Sequence, residues 1–172
     1  MLVRALSWDD PAGRQLRVAQ RAEIAERYGT TDSEPGPPPT ADDITVFFVA
    51  FDDDGVPLGC GGLRLLSRAD TETNADTEAE IKRMFVIPEA RGTGVSTAIL
   101  HALEGFGREH GWRRLLLETG DAQPDAVRFY TREGYTRIPG FGHYADSPSS
   151  LCFEKLLIAT DPMDELGCEG CE

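Results

Sequence analysis

Basic residues are scarce in this chain. Its 172 residues include 17 Lys and Arg against 30 Asp and Glu, which gives a net charge of −13. Such a charge repels nucleic acid phosphates and anionic membrane surfaces, so the composition excludes both as expected partners. It would attract a cationic small molecule, although an acidic surface can also serve solubility alone.

Long apolar runs are also lacking. The sequence nowhere carries about 18 consecutive apolar residues, the length expected of a membrane-spanning helix. The apolar run within residues 1–11 is too short for a signal peptide. We therefore expect a cytoplasmic protein, and the length suits one domain over residues 1–158 with an acidic, flexible tail over residues 159–172.

Cysteine is rare as well, with four in the chain. Cys60 and Cys152 lie in apolar, strand-like segments, where a reduced thiol behaves as a small hydrophobic residue; we favour this interpretation over a disulfide. Cys168 and Cys171 form a single CxxC motif in the tail, without the second ligand pair of a zinc ribbon. The three histidines show no paired-ligand spacing, so no metal site is predicted.

What the sequence does carry is an alternation of strand and helix patterns. Asp9 or Asp10 is a suitable N-cap for a helix that has Pro11 in its first turn and ends near Gly29. The predicted strands span residues 3–6, 44–51, 56–66, 80–87, 113–119, 135–138 and 151–157, and the predicted helices span residues 11–28, 95–111 and 124–134.

A glycine-rich turn follows the strand at 80–87. The segment Arg91-Gly92-Thr93-Gly94-Val95-Ser96 leads into an amphipathic helix, and such a turn lets backbone N–H groups and the positive end of the helix dipole meet a phosphate. It is not a P-loop, because no lysine follows Gly94, and Thr97 replaces the third glycine of a dinucleotide fingerprint. From the residues alone, the glycines could also merely turn the chain.

This turn resembles the coenzyme A loop of the GNAT superfamily of N-acetyltransferases. The family motif, Gln/Arg-x-x-Gly-x-Gly/Ala, is matched at Arg91 and Gly94, with Ser96 as the one departure. The order of the predicted elements over residues 3–157 is also that of the GNAT fold. The resemblance implies an α/β (α+β) protein: a mixed central sheet of about six or seven strands, helices on both faces, and a splayed pair of parallel strands at 80–87 and 113–119 that holds coenzyme A.

The resemblance further implies acetyl-CoA as co-substrate. The backbone of residues 84–86 would meet the pantetheine arm, and the N–H of Val86 would face the thioester oxygen as an oxyanion donor. Gln123 stands where the family usually has an asparagine that contacts the coenzyme. The coenzyme-binding residues implied are Met84, Phe85, Val86, Arg91, Gly92, Thr93, Gly94, Val95, Ser96, Gln123 and Tyr130.

Two residues are expected to carry the chemistry. Tyr130 lies in a segment that resembles the family's Leu-Tyr-x-x-x-Gly-Phe/Tyr, which places a phenol near the coenzyme sulfur to protonate the leaving thiolate. Glu80 lies where some GNAT enzymes place a catalytic glutamate, and it would bind the acceptor and take its proton. The alternative for Glu80 is a carboxylate that is solvated or paired with Lys82, two residues away on the same strand face.

His143 is a candidate acceptor contact, because the family lines its acceptor pocket between the last two strands; the alternative is a solvated loop histidine. We expect acetyl transfer to a primary amine, that of a small molecule, by direct attack in a ternary complex, in a monomer or homodimer. The alternatives are a protein or peptide N-acetyltransferase and an acyl-CoA-binding sensor without turnover.

Overall fold

A seven-stranded sheet forms the centre of the protein. The computed structural model describes residues 1–67, 70 and 77–157. The predicted tail, with its CxxC motif, and most of the loop after the third strand therefore lie outside the described residues. The strands are β1 (Leu2–Leu6), β2 (Ile44–Phe51), β3 (Pro57–Leu65), β4 (Glu78–Val86), β5 (Arg114–Gly120), β6 (Thr136–Ile138) and β7 (Ser150–Leu156).

The strands lie in the order β1-β2-β3-β4-β5-β7-β6, and only β4 and β5 are parallel neighbours. This arrangement confirms the predicted mixed sheet and its parallel pair. The helices are α1 (Pro11–Tyr28), α2 (Val95–Glu109) and α3 (Pro124–Arg132).

The ends of α1 follow the local signals in the sequence. The side chain of Asp10 accepts a hydrogen bond from the N–H of Ala12 at 2.9 Å, and Pro11 occupies the first turn, where its missing N–H costs nothing. Gly29 ends the helix with a φ of +67°, a conformation that favours glycine. These caps confirm the predicted bounds of the helix.

Other element ends differ from prediction by one or two residues. β4 begins at Glu78 rather than at 80 and ends at Val86, because Pro88 leads the chain into a short 3₁₀ turn. α2 ends at Glu109 rather than at 111, with His110 as its C-cap and Gly111 just beyond at a φ of +70°.

The helices cover both faces of the sheet, as predicted. α2 and α3 contribute Ile99, Leu103 and Tyr130 to one buried cluster, which also contains Leu115 and Leu117 of β5. α1 contributes Leu16 to a second cluster on the opposite face. Both Cys60 and Cys152 are buried free thiols. None of the described helices is both long and apolar enough to cross a membrane.

The parallel strands β4 and β5 separate halfway along their length. Their pairing ends at Ile81 and Leu117, after which β5 continues to pair only with β7. On its other edge β4 carries a bulge, where Arg83, at a φ of +59°, shifts the pairing with β3. The space between residues beyond Ile81 on β4 and beyond Leu117 on β5 is called the strand gap below.

Candidate active site

A cavity of about 380 Å³ opens at the strand gap. Its walls come from α1, residues 30–34, both separated strands, the start of α3 and the first residues of β7. A volume of this size is in the range of pockets that bind small molecules. The cavity therefore lies at the point where the sheet offers unpaired backbone and converging side chains.

Side-chain alternation fixes which residues reach this cavity from which face. Leu115 and Leu117 pack in the cluster beneath α2, so the side chain of Glu118 points to the opposite face, towards α1. Gly120 confirms this orientation, since a Cβ there would collide with Tyr28 of α1. Tyr130, from α3, reaches the cavity from the α2 face.

Glu118 is the unpaired carboxylate of the cavity wall. Its carboxylate accepts a hydrogen bond from the Ser150 hydroxyl at 2.7 Å and forms no salt bridge with any described residue. Burial raises the pKa of Glu118, an effect opposed by the Ser150 hydrogen bond and by Lys82. A cavity carboxylate with a raised pKa has the properties of a general base. The sequence analysis did not select it, although a carboxylate directly after the apolar run Leu115-Leu116-Leu117 was a signal available in the sequence.

Glu80 lies beside the cavity and does not line it. Its side chain is 0 % exposed, and both of its oxygens are engaged. Oε2 accepts from Arg64 Nη2 at 2.7 Å, while Oε1 accepts from the Tyr144 hydroxyl at 2.7 Å and from Lys82 Nζ at 3.3 Å. This geometry brings Glu80 and Lys82 together, as the sequence alternative anticipated, and a role of Glu80 as base stays a prediction.

Glu34 holds the loop after α1 against β4. Its two oxygens pair with Lys82 Nζ at 3.1 Å and with Arg83 Nη2 at 2.8 Å. Burial alone would raise the pKa of Glu34, but the two cations outweigh it and hold the pKa below its ordinary range. The positive charges on this part of β4 are therefore already matched by carboxylates.

Tyr130 and Gln123 line the cavity on the α3 side. Tyr130 is 6 % exposed and packs edge-to-face against Phe129 and Tyr135. Burial raises the pKa of Tyr130, so its phenol keeps its proton at neutral pH. The fold thus brings Tyr130 to one cavity with Glu118, from opposite faces of the sheet.

The open edge of β4 presents backbone groups of Met84 and Val86. The N–H of Ile87 donates to the Leu58 carbonyl at 2.9 Å, and alternation along the pair places the groups of Phe85 towards β3 and those of its two neighbours towards the strand gap. The Met84 carbonyl accepts from Gln20 Nε2 at 2.9 Å, and the Val86 carbonyl accepts from Arg91 Nε at 3.1 Å.

The glycine-rich loop is shaped as an anion site. Gly92 and Gly94 adopt φ values of +76° and +90°, and no atom lies within 4 Å of a Cβ built on either. Gly94 is the N-cap of α2 and offers no side chain to its first N–H groups, which include those of Val95 and Ser96. Together with the helix dipole these N–H groups favour a phosphate.

Two side chains of the loop bond to other parts of the fold. The Thr93 hydroxyl donates to the Ala90 carbonyl at 2.7 Å. Arg91 forms an ion pair with Glu23 of α1 in addition to its bond to β4. Arg91 therefore links the loop to α1, and its charge is partly matched before any anion binds.

His143 lies away from the cavity. Its exposed ring packs over Gly36, where a Cβ would come within 2.7 Å of it. Its role as an acceptor contact stays a prediction. Across residues 1–67, 70 and 77–157, no group of three His, Cys, Asp or Glu side chains is placed to hold a metal ion.

Comparison with known proteins identifies the family to which this chain belongs. The model of the acetyltransferase (GNAT) family matches residues 13–135. Among curated proteins, IAA acetyltransferase from Azospirillum brasilense is 38% identical over 103 residues, which cover 60% of this chain and 63% of that protein. The chain spans less than two thirds of the length of the curated relatives it matches.

Solved structures of acyltransferases share the fold of this chain. A Klebsiella pneumoniae protein, provisionally named an acyl-CoA N-acyltransferase, superposes with a TM-score of 0.72 at 27% identity over 91% of this chain and 97% of that one. An aminoglycoside 6′-N-acetyltransferase in complex with coenzyme A shares the fold at a TM-score of 0.64 and 15% identity, over 94% and 99% of the two chains. On this evidence, the chain belongs to the GNAT family of acetyltransferases.

Proposed function

We propose that this protein transfers an acetyl group from acetyl-CoA to a primary amine of a small molecule, by direct attack in a ternary complex. The observation that carries the proposal is the placement of Glu118 and Tyr130, which reach one cavity from opposite faces of the strand gap. An acid and a base on either side of one reacting centre fit a reaction that removes a proton from an amine and delivers one to a thiolate.

The described residues fit acetyl-CoA. The N–H groups at the start of α2 suit its pyrophosphate, and the open edge of β4 at Val86 suits an extended amide-bearing arm. When bound, the coenzyme supplies the activated acetyl thioester. The N–H of Val86 would stabilise the charge that develops on the thioester oxygen.

Glu118 and Tyr130 each carry out one of the two proton transfers. Glu118 accepts the proton of an amine that enters from the α1 face, since a protonated amine cannot attack. Tyr130, protonated at neutral pH, donates to the thiolate that leaves on the α3 side. We favour Glu118 over Glu80 as the base because only Glu118 lines the cavity.

A small cationic amine is the acceptor that the charges support best. Glu118 is an unpaired carboxylate in the wall, whereas Lys82 and Arg83 are matched by carboxylates and Arg21, the remaining cation of the wall, is exposed on α1. Glu34 also pins the loop after α1 against β4, which favours a small ligand over a protein terminus or lysine. Because one relative is named IAA acetyltransferase, IAA belongs among the compounds to be tested.

The test is a screen of small amines, IAA and a peptide N-terminus against acetyl-CoA, with free thiol as the readout. Thiol release with a small amine supports the proposal. Release only with the peptide would favour the protein acetyltransferase alternative. Binding of acetyl-CoA without thiol release, seen as a thermal shift equivalent to roughly 2.7 kcal/mol at 100 times Kd, would favour a sensor.

Replacing Gly94 with Trp should weaken acetyl-CoA binding at least about tenfold. A Cβ at this position meets no atom of the protein within 4 Å, so the side chain begins in the open space where a phosphate would bind, and we expect the indole to collide with that phosphate. The substitution also strains the positive φ by roughly 1–2 kcal/mol. Calorimetry with acetyl-CoA measures the effect, and Gly55→Trp, at a similarly open positive-φ turn, is the control. Unchanged affinity in a folded Gly94 variant would contradict the loop assignment.

Replacing Tyr130 with Phe should lower kcat about a hundredfold, the lower range for a positioned acid. The ring and its packing against Phe129 and Tyr135 are kept, and only the proton is removed. Steady-state kinetics and acetyl-CoA calorimetry are the measurements, with little change expected in affinity. Wild-type kcat in this variant would leave Tyr130 with a packing role.

A further inference from the structure

One stripe of α1 faces the cavity. Gln20, Ile24 and Tyr28 all line it, and their spacing of four residues puts them on the same side of the helix. At 1.5 Å per residue the stripe is about 12 Å long. It presents an apolar centre between two polar ends.

Gln20, a residue of the cavity wall, has a buried acceptor atom that no described residue uses. Its side chain is 8 % exposed, and Nε2 donates to the Met84 carbonyl at 2.9 Å. A carbonyl can only accept, so this bond fixes the orientation of the amide. The other amide atom, Oε1, is therefore not at the Met84 carbonyl. It is buried, and no described residue donates a hydrogen bond to it.

Tyr28 offers a second unused group at the other end of the stripe. Its hydroxyl oxygen is buried and has no hydrogen-bond partner among the described residues. It occupies the space in which a side chain of Gly120 would stand, so only glycine permits this approach. Gly120 follows Glu118 by two residues on the same strand face, so the Cα of Gly120, beside which the hydroxyl lies, is about 6.6 Å along the strand from the Cα of Glu118.

Buried polar atoms without partners are few in folded proteins, because desolvation is not repaid. Two such atoms, on one helix face and in the wall of one cavity, therefore point to a ligand that supplies their partners. Both atoms lie on the α1 face of the sheet, which is also the face of Glu118. In the proposed function this is the side from which the acceptor enters.

Building on the proposed function, we propose that Tyr28 determines acceptor specificity by binding a polar group, separate from the reacting amine, that carries a hydroxyl or amide N–H, and that Gln20 binds a further such group on a longer acceptor. The amine nitrogen lies at Glu118, and the second polar group reaches Tyr28. The substrate class is thus an amine with a hydrogen-bond donor several bonds away, rather than a plain alkylamine.

The probes are ω-amino alcohols of three to six carbons and the alkylamines of matched length. In the wild-type protein saturated with coenzyme A, calorimetry should show the best-fitting amino alcohol binding about tenfold tighter than its alkylamine. Tyr28→Phe should bring the two within about twofold of each other, leave acetyl-CoA affinity unchanged, and keep or raise Tm, because an unpaired buried hydroxyl is removed.

Tyr135→Phe is the matched control. The Tyr135 hydroxyl donates to Glu104 at 3.3 Å outside the cavity, so its loss should lower Tm and leave the amino alcohol preference intact. Equal binding of the two series by the wild-type protein would overturn the inference. So would a Tyr28→Phe variant that keeps the preference or instead loses affinity for acetyl-CoA. A preference that depends on Tyr28, without any thiol release, would reject the transferase activity but support this binding site.

Discussion

Replacing Glu118 with Gln should lower kcat/KM for the amine by about 10²–10⁴-fold while raising Tm near neutral pH. The first effect follows from the loss of a positioned base. The second follows because a buried carboxylate without an ion-pair partner is costly, whereas the neutral amide of Gln can still accept from the Ser150 hydroxyl. A gain in stability with a loss of activity is the signature of a group kept for function.

The pH dependence of Glu118 has a defined sign. Burial raises the pKa of Glu118 in the folded state, so its contribution to stability is fully present below the unfolded pKa and is lost as pH rises through the raised folded pKa. The stability advantage of Glu118→Gln should therefore be larger at pH 8 than at pH 4. Wild-type kcat/KM should fall as the pH is lowered through the folded pKa.

Thermal melts and kinetics across this pH range are the measurements. Normal kcat/KM in the Gln variant, or a Tm below that of the wild type, would contradict the assignment of Glu118 as base.

Replacing Glu80 with Ala should destabilise the fold by about 3–5 kcal/mol, because it breaks a buried ion-pair network. Arg64 loses its bond of 2.7 Å and keeps a longer contact with Asp70 at 3.8 Å, whereas Lys82 keeps Glu34 and the Tyr144 hydroxyl. Burial, reinforced by the Glu80 carboxylate, raises the pKa of Tyr144, which keeps its hydroxyl a donor within the network. Urea unfolding followed by circular dichroism measures the loss.

Glu154→Ala is the matched control for Glu80. It also removes a carboxylate from an ion pair, that with Arg114 at 2.6 Å, but Arg114 keeps Glu78 at 2.9 Å and the site is half-buried. We expect the loss of stability to be smaller there. An unchanged unfolding free energy in Glu80→Ala, together with loss of turnover, would make Glu80 the base and would reject the structural role.

Local signals in the sequence were sufficient to predict the bounds of α1 and the shape of the glycine-rich loop. The N-cap Asp10, Pro11 and Gly29 defined α1 because each acts on its own few residues. The glycines of residues 91–96 predicted an anion site for the same reason, since the positive φ values and the free N–H groups belong to one short segment. These features do not depend on the rest of the fold.

Which carboxylates line the cavity was decided only by the tertiary structure. Whether Glu80 or Glu118 meets the cavity depends on the register of β4 against β5 and on pairing that stops at Ile81 and Leu117. Strand alternation predicted the contact of Glu80 with Lys82, but Arg64 and Tyr144, its other partners, come from distant parts of the chain, and no local pattern predicts them. The unpaired atom of Tyr28 likewise exists only because α1 packs over Gly120. Local sequence determined the elements, whereas long-range packing determined which polar atoms were left for a ligand.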